Sequence, residues 1–193
     1  GNLNDNALYF PQVTYNTTGD SAGLGYVEIP YTASMNSENF TIQAWAWKKA
    51  TTDGHYRYLW ANRNGSDEGI LTYLANNNQW YTQINDAGSF ESNAFTSPTN
   101  ETWYHIVVTK GAAGVNNAVF YENGVSRGTL SIGDYTQNTE RAFLIGGRGG
   151  PDASADFLYH WVGKMEEVCY WNVALDIGAV LELYNSGDGA IAT

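Results

Sequence analysis

The sequence predicts an all-β chain closed by one short C-terminal helix. Three observations carry this. Asn123-Gly124 lies between two β-rich runs, and Asn-Gly supplies at least cost the positive φ that both central residues of a type I′ hairpin turn need. Short runs rich in Val, Ile, Thr, Tyr, Phe and Trp recur along the chain, about a dozen in all, bounded by Gly, Asn, Asp and Pro. Helical spacing appears only near the C-terminus. The run at residues 103–110, a second at 118–122 and a third from Val125 to Thr129 make an antiparallel meander. A meander must bury one face, so the remaining strands are expected to stack against it.

Taken in order, Ala7-Leu8-Tyr9-Phe10 opens with a short strand that Pro11 ends or places at an edge. Residues 14–25 read as a Thr/Asn/Gly loop, and Tyr26 to Pro30 as a second short strand. Phe40 to Lys48 is apolar at even positions (Phe40, Ile42, Ala44, Ala46) and carries Trp45 and Trp47 at odd ones, which predicts a mid-sheet strand covered on both sides. His55 to Asn62 is a further strand, and Ile70 to Ala75 pairs with Gln79 to Asn85 across Asn76-Asn77-Asn78. In that second arm Trp80, Thr82 and Ile84 alternate with Tyr81, Gln83 and Asn85, a polar-aromatic set suited to a solvent-open face. Phe90 to Phe95 is one more strand before the meander. Arg141 to Gly146 precedes a Gly-rich run through Pro151 that reads as a rim loop. Gly163 to Trp171 ends the sheet. Asp176 N-caps a helix to about Tyr184, with Ile177, Val180, Leu181 and Tyr184 on one face and Gly187 as its stop. No linker, repeat or composition break divides the chain, so residues 1–193 are expected to form one domain.

The net charge of −11 argues against nucleic acid as a partner, because phosphate contacts need clustered Lys and Arg. No apolar run is long enough for membrane insertion. Cys169 is the only cysteine, so no internal disulfide forms. No signal peptide is legible, and Gly1-Asn2-Leu3-Asn4 reads as a mature start. Charged residues and aromatics each reach 15%. This polar, uncharged, aromatic composition suits sandwiches outside the cytosol and sugar-binding surfaces, where rings stack on pyranose faces and amides bond hydroxyls. The four Asn-x-Ser/Thr sequons, at Asn16, Asn39, Asn64 and Asn100, are what a chain rich in Asn and Thr produces by chance.

Several segments in this order resemble a laminin-G-like member of the concanavalin A-like lectin/glucanase superfamily. They are Ala7 to Phe10, Tyr26 to Pro30, Asn39 to Trp45, Trp103 to Thr109, Val119 to Gly124, Leu144-Ile145-Gly146, and Gly163 to Val168 with Trp171 to Leu175. The resemblance covers nearly the whole chain and rests on scaffold motifs. It implies a jelly-roll sandwich of two antiparallel sheets, one of them concave. It also implies a structural calcium ion in many members, and binding of glycans, or of proteins, or in some members glycan cleavage.

For calcium, the residue matching the family's acidic ligand in the last strand is Glu166, with Asp20 and carbonyls near Gly25 as completing oxygens. The plain alternative is that Glu166 and Glu167 are ordinary strand acids, adjacent and therefore facing opposite ways. That adjacency also counts against a glucanase pair, which needs alternate positions. The nearest approach to a lyase set is His55, Tyr56, Arg57, Tyr81 and Gln83, while His105 sits in a scaffold motif. Ligand-binding candidates on the open face or rim are Trp60, Asn62, Arg63, Tyr81, Gln83, Asn85, Arg148, Asp152, Tyr159 and His160. Trp45, Trp47, Trp103 and Trp171 are read as core or inter-sheet packing, and Trp80 likewise. The expectation is a non-catalytic lectin-like module at an extracellular, cell or virion surface. It binds glycans or glycoconjugates there, alone or with protein partners in a larger assembly. The alternatives are a structural or decoration domain of a virion or surface layer, and a glycan hydrolase or lyase.

Overall fold

A computed structural model describes residues 7–11, 25–50, 55–62, 68–86, 89–148 and 159–188, with backbone only at Asp86 and at residues 89–93. In chain order the strands are β1 (Leu8–Phe10), β2 (Val27–Ile29), β3 (Phe40–Lys48), β4 (Arg57–Ala61), β5 (Ile70–Leu74), β6 (Trp80–Asp86), β7 (Ser89–Ala94), β8 (Trp103–Lys110), β9 (Gly114–Glu122), β10 (Val125–Ile132), β11 (Phe143–Ile145) and β12 (Gly163–Trp171), followed by the helix α1 (Ile177–Tyr184). They form two six-stranded sheets, every pairing antiparallel: β1-β12-β3-β8-β9-β10, called sheet A here, and β2-β11-β4-β5-β6-β7, sheet B. This is the two-sheet jelly-roll sandwich that the sequence predicts.

The core follows from strand parity. The even residues of β3 (Phe40, Ile42, Ala44 and Ala46) face sheet B and meet Leu59, Trp60, Ile70, Trp80 and Ile84. Trp80 stacks on Trp161 at 5.9 Å, and Phe95 lies flat against Phe120 at 4.1 Å and 8°. The expected burial of Trp80 is therefore met. β3 lies third in its sheet and is covered on both sides, since Trp45 on its other face is only 2% exposed.

That second cover is α1. Asp176 caps it, accepting from the Ala179 N–H at 2.9 Å, as its position predicts. Val180 packs on Val107 and Tyr121, and Tyr184 stacks over Trp45 (5.9 Å) and His105 (5.9 Å). The helix buries a narrower stripe than its periodicity predicts: Ile177 and Leu181 are 47% and 49% exposed. It ends one turn before Gly187, at Asn185 in the left-handed region.

The Asn123-Gly124 turn forms as expected, with φ of 52° and 72°. It also holds its neighbours: Asn123 Oδ1 accepts the His105 N–H at 2.9 Å, and a Cβ on Gly124 would lie 2.9 Å from the Tyr184 ring. The hairpin tip is thus a seat for the helix as well as a chain reversal.

Two bulges revise the alternation expected from sequence. In β4, Tyr58 pairs with Tyr73 but Trp60, not Leu59, pairs with Thr72. The extra residue turns Trp60 inward. In β12, Glu166 pairs with Trp45, and Cys169 takes the place opposite Gln43 that uninterrupted pairing would give Val168. Glu167 sits in that bulge at φ 47°, so Glu166 and Glu167 do not follow a plain in-out alternation, and Val168 is released to pack on the core. Trp47 and Trp103 face each other across β3 and β8 on the outer side of sheet A and are half-buried. They are not inter-sheet packing, contrary to expectation.

Candidate functional site

The outer face of sheet B carries a row of tyrosines. Tyr58, Tyr73 and Tyr81 occupy directly opposed positions on β4, β5 and β6. Their rings stack in series, Tyr58 on Tyr73 at 4.8 Å and 24°, Tyr73 on Tyr81 at 5.5 Å and 7°. Cross-strand positions bring Cβ atoms to about 5 Å, the spacing at which aromatic pairs interact directly. Tyr56 and Tyr159 close the group edge-on: Tyr159 lies 5.7 Å from Tyr58, and Tyr56 lies 5.7 Å from Tyr73 and 5.8 Å from Tyr159. Leu71, Ala61 and Ala75 complete the apolar floor.

Arg148 lies across this group. Its guanidinium carbon is 5.7 Å from the Tyr58 ring centre and 5.4 Å from that of Tyr159, and Nη1 donates to Tyr58 Oη at 3.4 Å. Its Nε is buried and has no hydrogen-bond partner. Burial, followed by the neighbouring tyrosines, holds the Tyr73 phenol well above its ordinary range, with Arg148 partly offsetting this. Tyr73 is therefore held as a neutral phenol. Tyr58 and Tyr73 are nearly closed off at 4% and 6% exposure, while Tyr81, Gln83, Tyr56, Tyr159 and Arg148 keep accessible surface. At the open end Asn77, itself exposed, donates through Nδ2 to Tyr81 Oη at 3.3 Å. Rings, amides and one guanidinium on a single face form a donor-rich platform with no carboxylate placed on it by the described contacts.

Four sequence candidates meet here: Tyr81, Gln83, Arg148 and Tyr159. Four others do not serve as ligand-facing groups. Trp60 is fully buried in the core, because the β4 bulge inverts its direction. Asn62, 2% exposed, is a loop clamp: its Oδ1 accepts the Ile70 N–H at 2.7 Å and its Nδ2 donates to Asn36 Oδ1 at 2.8 Å. Asn85 has no exposed surface, and its main-chain N–H donates to the Gly69 carbonyl at 3.1 Å. Gly69 has φ 93°, and a Cβ there would lie 2.6 Å from the Asn62 carbonyl oxygen, so this corner admits only glycine. His160 is 4% exposed. Arg63 and Asp152 lie outside the described residues. Sequence reasoning missed Tyr58 and Tyr73. Their signal is Tyr at the outward positions of two paired strands, hidden by not knowing the register.

The lyase-like grouping does not assemble. Arg57 pairs with core-facing Leu74, is 3% exposed and donates to the Tyr56 carbonyl, on the opposite side of the strand from Tyr58. Of the calcium set, Glu166 lies opposite Trp45, Gly25 adjoins Phe10, and Asp20 is outside the described residues. Among the described residues no three His, Cys, Asp or Glu side chains come together in a way that could hold a metal ion. Desolvation raises the pKa of the neighbouring Glu167 carboxyl.

His105 is fully buried beneath α1, and its Nε2–H donates to Gln43 Oε1 at 3.0 Å, the amide oxygen being an acceptor only. Burial pushes its pKa down to about 4. It holds the helix-covered face together, in line with the scaffold position expected of it.

No curated protein matches the chain in sequence. Solved structures do match in fold. The binding domain of Paraclostridial Mosquitocidal Protein 1 aligns with a TM-score of 0.66 at 16% identity over 86% of this chain and 42% of that one. The chain thus spans under half the length of that relative. The CBM40 of the Ruminococcus gnavus IT-sialidase, solved bound to alpha2,3 sialyllactose, aligns at 0.60 and 12% identity over 77% and 83%. Botulinum neurotoxin type C, whose cell entry depends on interaction with two ganglioside molecules, aligns at 0.64 and 15% identity over 94% and 46%. At such identities the likeness is one of fold. A family model of the concanavalin A-like lectin/glucanases superfamily matches residues 21–180, and with the two-sheet topology in hand the chain belongs to that superfamily as a laminin-G-like member.

Proposed function

We propose that this chain is a non-catalytic lectin-like module that binds a glycan or glycoconjugate on the outer face of sheet B, at an extracellular or surface location. The stacked row Tyr58–Tyr73–Tyr81 under Arg148 carries the reading. Tyr81 offers a ring to a sugar face, and Gln83, Tyr159 and the accessible part of the Arg148 guanidinium offer polar groups to hydroxyls. The printed ligands of two fold neighbours, a sialyllactose and gangliosides, lend the class support. Arg57 turned away from the tyrosines supports the absence of a lyase centre there.

The test is a glycan array probed with wild type, Tyr81→Ala and Arg148→Gln. Wild type is expected to retain a subset of glycans, and each variant to weaken binding about tenfold or more, or roughly 1.4 kcal/mol. Retention of no glycan, with the protein running as a stable multimer, would favour the structural or decoration class instead. Calcium enters as a structural ion only, at Glu166 with Asp20 and the Gly25 carbonyl. A melting temperature that falls on chelation supports it, and an unchanged one removes it.

A further inference from the structure

A second aromatic row crosses the other sheet. On the outer face of sheet A, Tyr9 of β1 pairs with Lys164 of β12, Lys164 with Trp47 of β3, and Trp47 with Trp103 of β8. All four side chains share one face, because directly opposed residues of antiparallel strands point the same way. The row spans three inter-strand spacings, about 14 Å at the ordinary strand separation, the length of a short oligosaccharide.

It is open where the neighbouring row is covered. One row further in, Trp45 and His105 lie under Tyr184 of α1. Tyr9, by contrast, is 57% exposed, and Lys164, Trp47 and Trp103 keep accessible surface. Lys164 Nζ stands 5.5 Å from the Trp47 ring centre, so the row presents an ammonium set between aromatic rings.

The charge here is unlike the rest of the chain. In a protein of net charge −11, two of the four lysines, Lys49 and Lys164, share this face at this end of β3 and β12, while Lys48 alternates to the other side. Lys49 follows Trp47 by two residues, and its N–H donates to the Val162 carbonyl, which ties it to the start of β12. The Lys48 ammonium bonds Asn100 Oδ1 and has its pKa lowered, first by desolvation and then by the nearby Arg57 cation. The Lys164 ammonium beside exposed rings, with Lys49 on the same face, suits a partner that joins an anionic group to flat apolar faces.

We infer that Tyr9, Lys164, Trp47 and Trp103 form a second carbohydrate-binding row, for a saccharide chain bearing carboxylate groups. The rings take the apolar faces of the sugars and Lys164 pairs with a carboxylate. This row does not depend on the tyrosine row of sheet B, which lies on the opposite outer face.

Affinity gel electrophoresis with polygalacturonate in the gel tests this, with dextran as the neutral control. Wild type is expected to be retarded by polygalacturonate and not by dextran, less so as salt rises. Tyr9→Ala and Lys164→Gln, both surface changes, are expected to weaken the retardation at least about fivefold, and Trp103→Ala to abolish it. Trp103→Phe, which keeps a ring, is expected to retain much of it, and melting curves confirm that each variant is folded. Tyr81→Ala is expected to behave as wild type. No retardation of wild type overturns the inference. So does retardation that survives both Lys164→Gln and Tyr9→Ala, or that Tyr81→Ala abolishes. A silent glycan array together with normal polygalacturonate retardation would sink the sheet B reading and leave this one standing.

Discussion

At Tyr73 a phenol is wedged between two others, and at His105 an imidazole is held neutral between Trp45 and Tyr184. Both show burial setting the chemistry of a side chain. For His105 the consequence is measurable. Its pKa in the folded state lies at about 4, below the ordinary 6.5, so between those values the unfolded chain binds a proton that the folded one refuses. The stability held above pH 6.5 is therefore lost as pH falls, at up to about 1.4 kcal/mol per pH unit. Denaturant melts of wild type and His105→Gln between pH 7 and 4 check this. The variant should be less stable at pH 7 and show a visibly shallower decline, whereas equal slopes would remove His105 from the account. The sequence placed His105 in a scaffold motif, and that much was legible. Its neutrality was not, because it depends on a helix some seventy residues later, at Ile177–Tyr184, folding over it.

Elements were legible where local chemistry decides them. β3, β8 and β12 have the bounds their composition predicts, the Asn123-Gly124 turn has both φ values positive, and Asp176 caps α1. What the sequence hid was the bulges. One extra residue in β4 sends Trp60 inward and leaves Tyr58 outside, and nothing in Tyr-Leu-Trp-Ala marks which residue is extra. The same limit applies at Glu167. The hairpin tip gives a direct test at this scale. Gly124→Ala adds a Cβ 2.9 Å from the Tyr184 ring at φ 72°, so it should cost on the order of 1–3 kcal/mol and loosen α1. Hydrogen exchange is expected to rise at Val180 and its neighbours. A variant as stable as wild type, with α1 equally protected, would mean that the turn and helix are not coupled.

Across the whole molecule, the two sheets share one core and differ in their outer faces. Sheet A is half roofed by α1 and leaves a tryptophan–lysine row at one end, while sheet B carries tyrosines and Arg148. Fold class was readable because seven scaffold segments occur in order. The site was readable only in part, because which side chains share a face depends on register across strands far apart in sequence. Tyr81, Gln83, Arg148 and Tyr159 share one face, whereas Trp60, Asn62, Asn85 and His160 are buried. The central claim is that the tyrosine row of sheet B is a glycan platform. Titrating one array-selected glycan into wild type and into Tyr81→Ala, side by side, tests it most directly. The account predicts saturable binding to wild type and an affinity at least about tenfold lower for a variant that still melts as wild type does; equal affinities for the two proteins would contradict it.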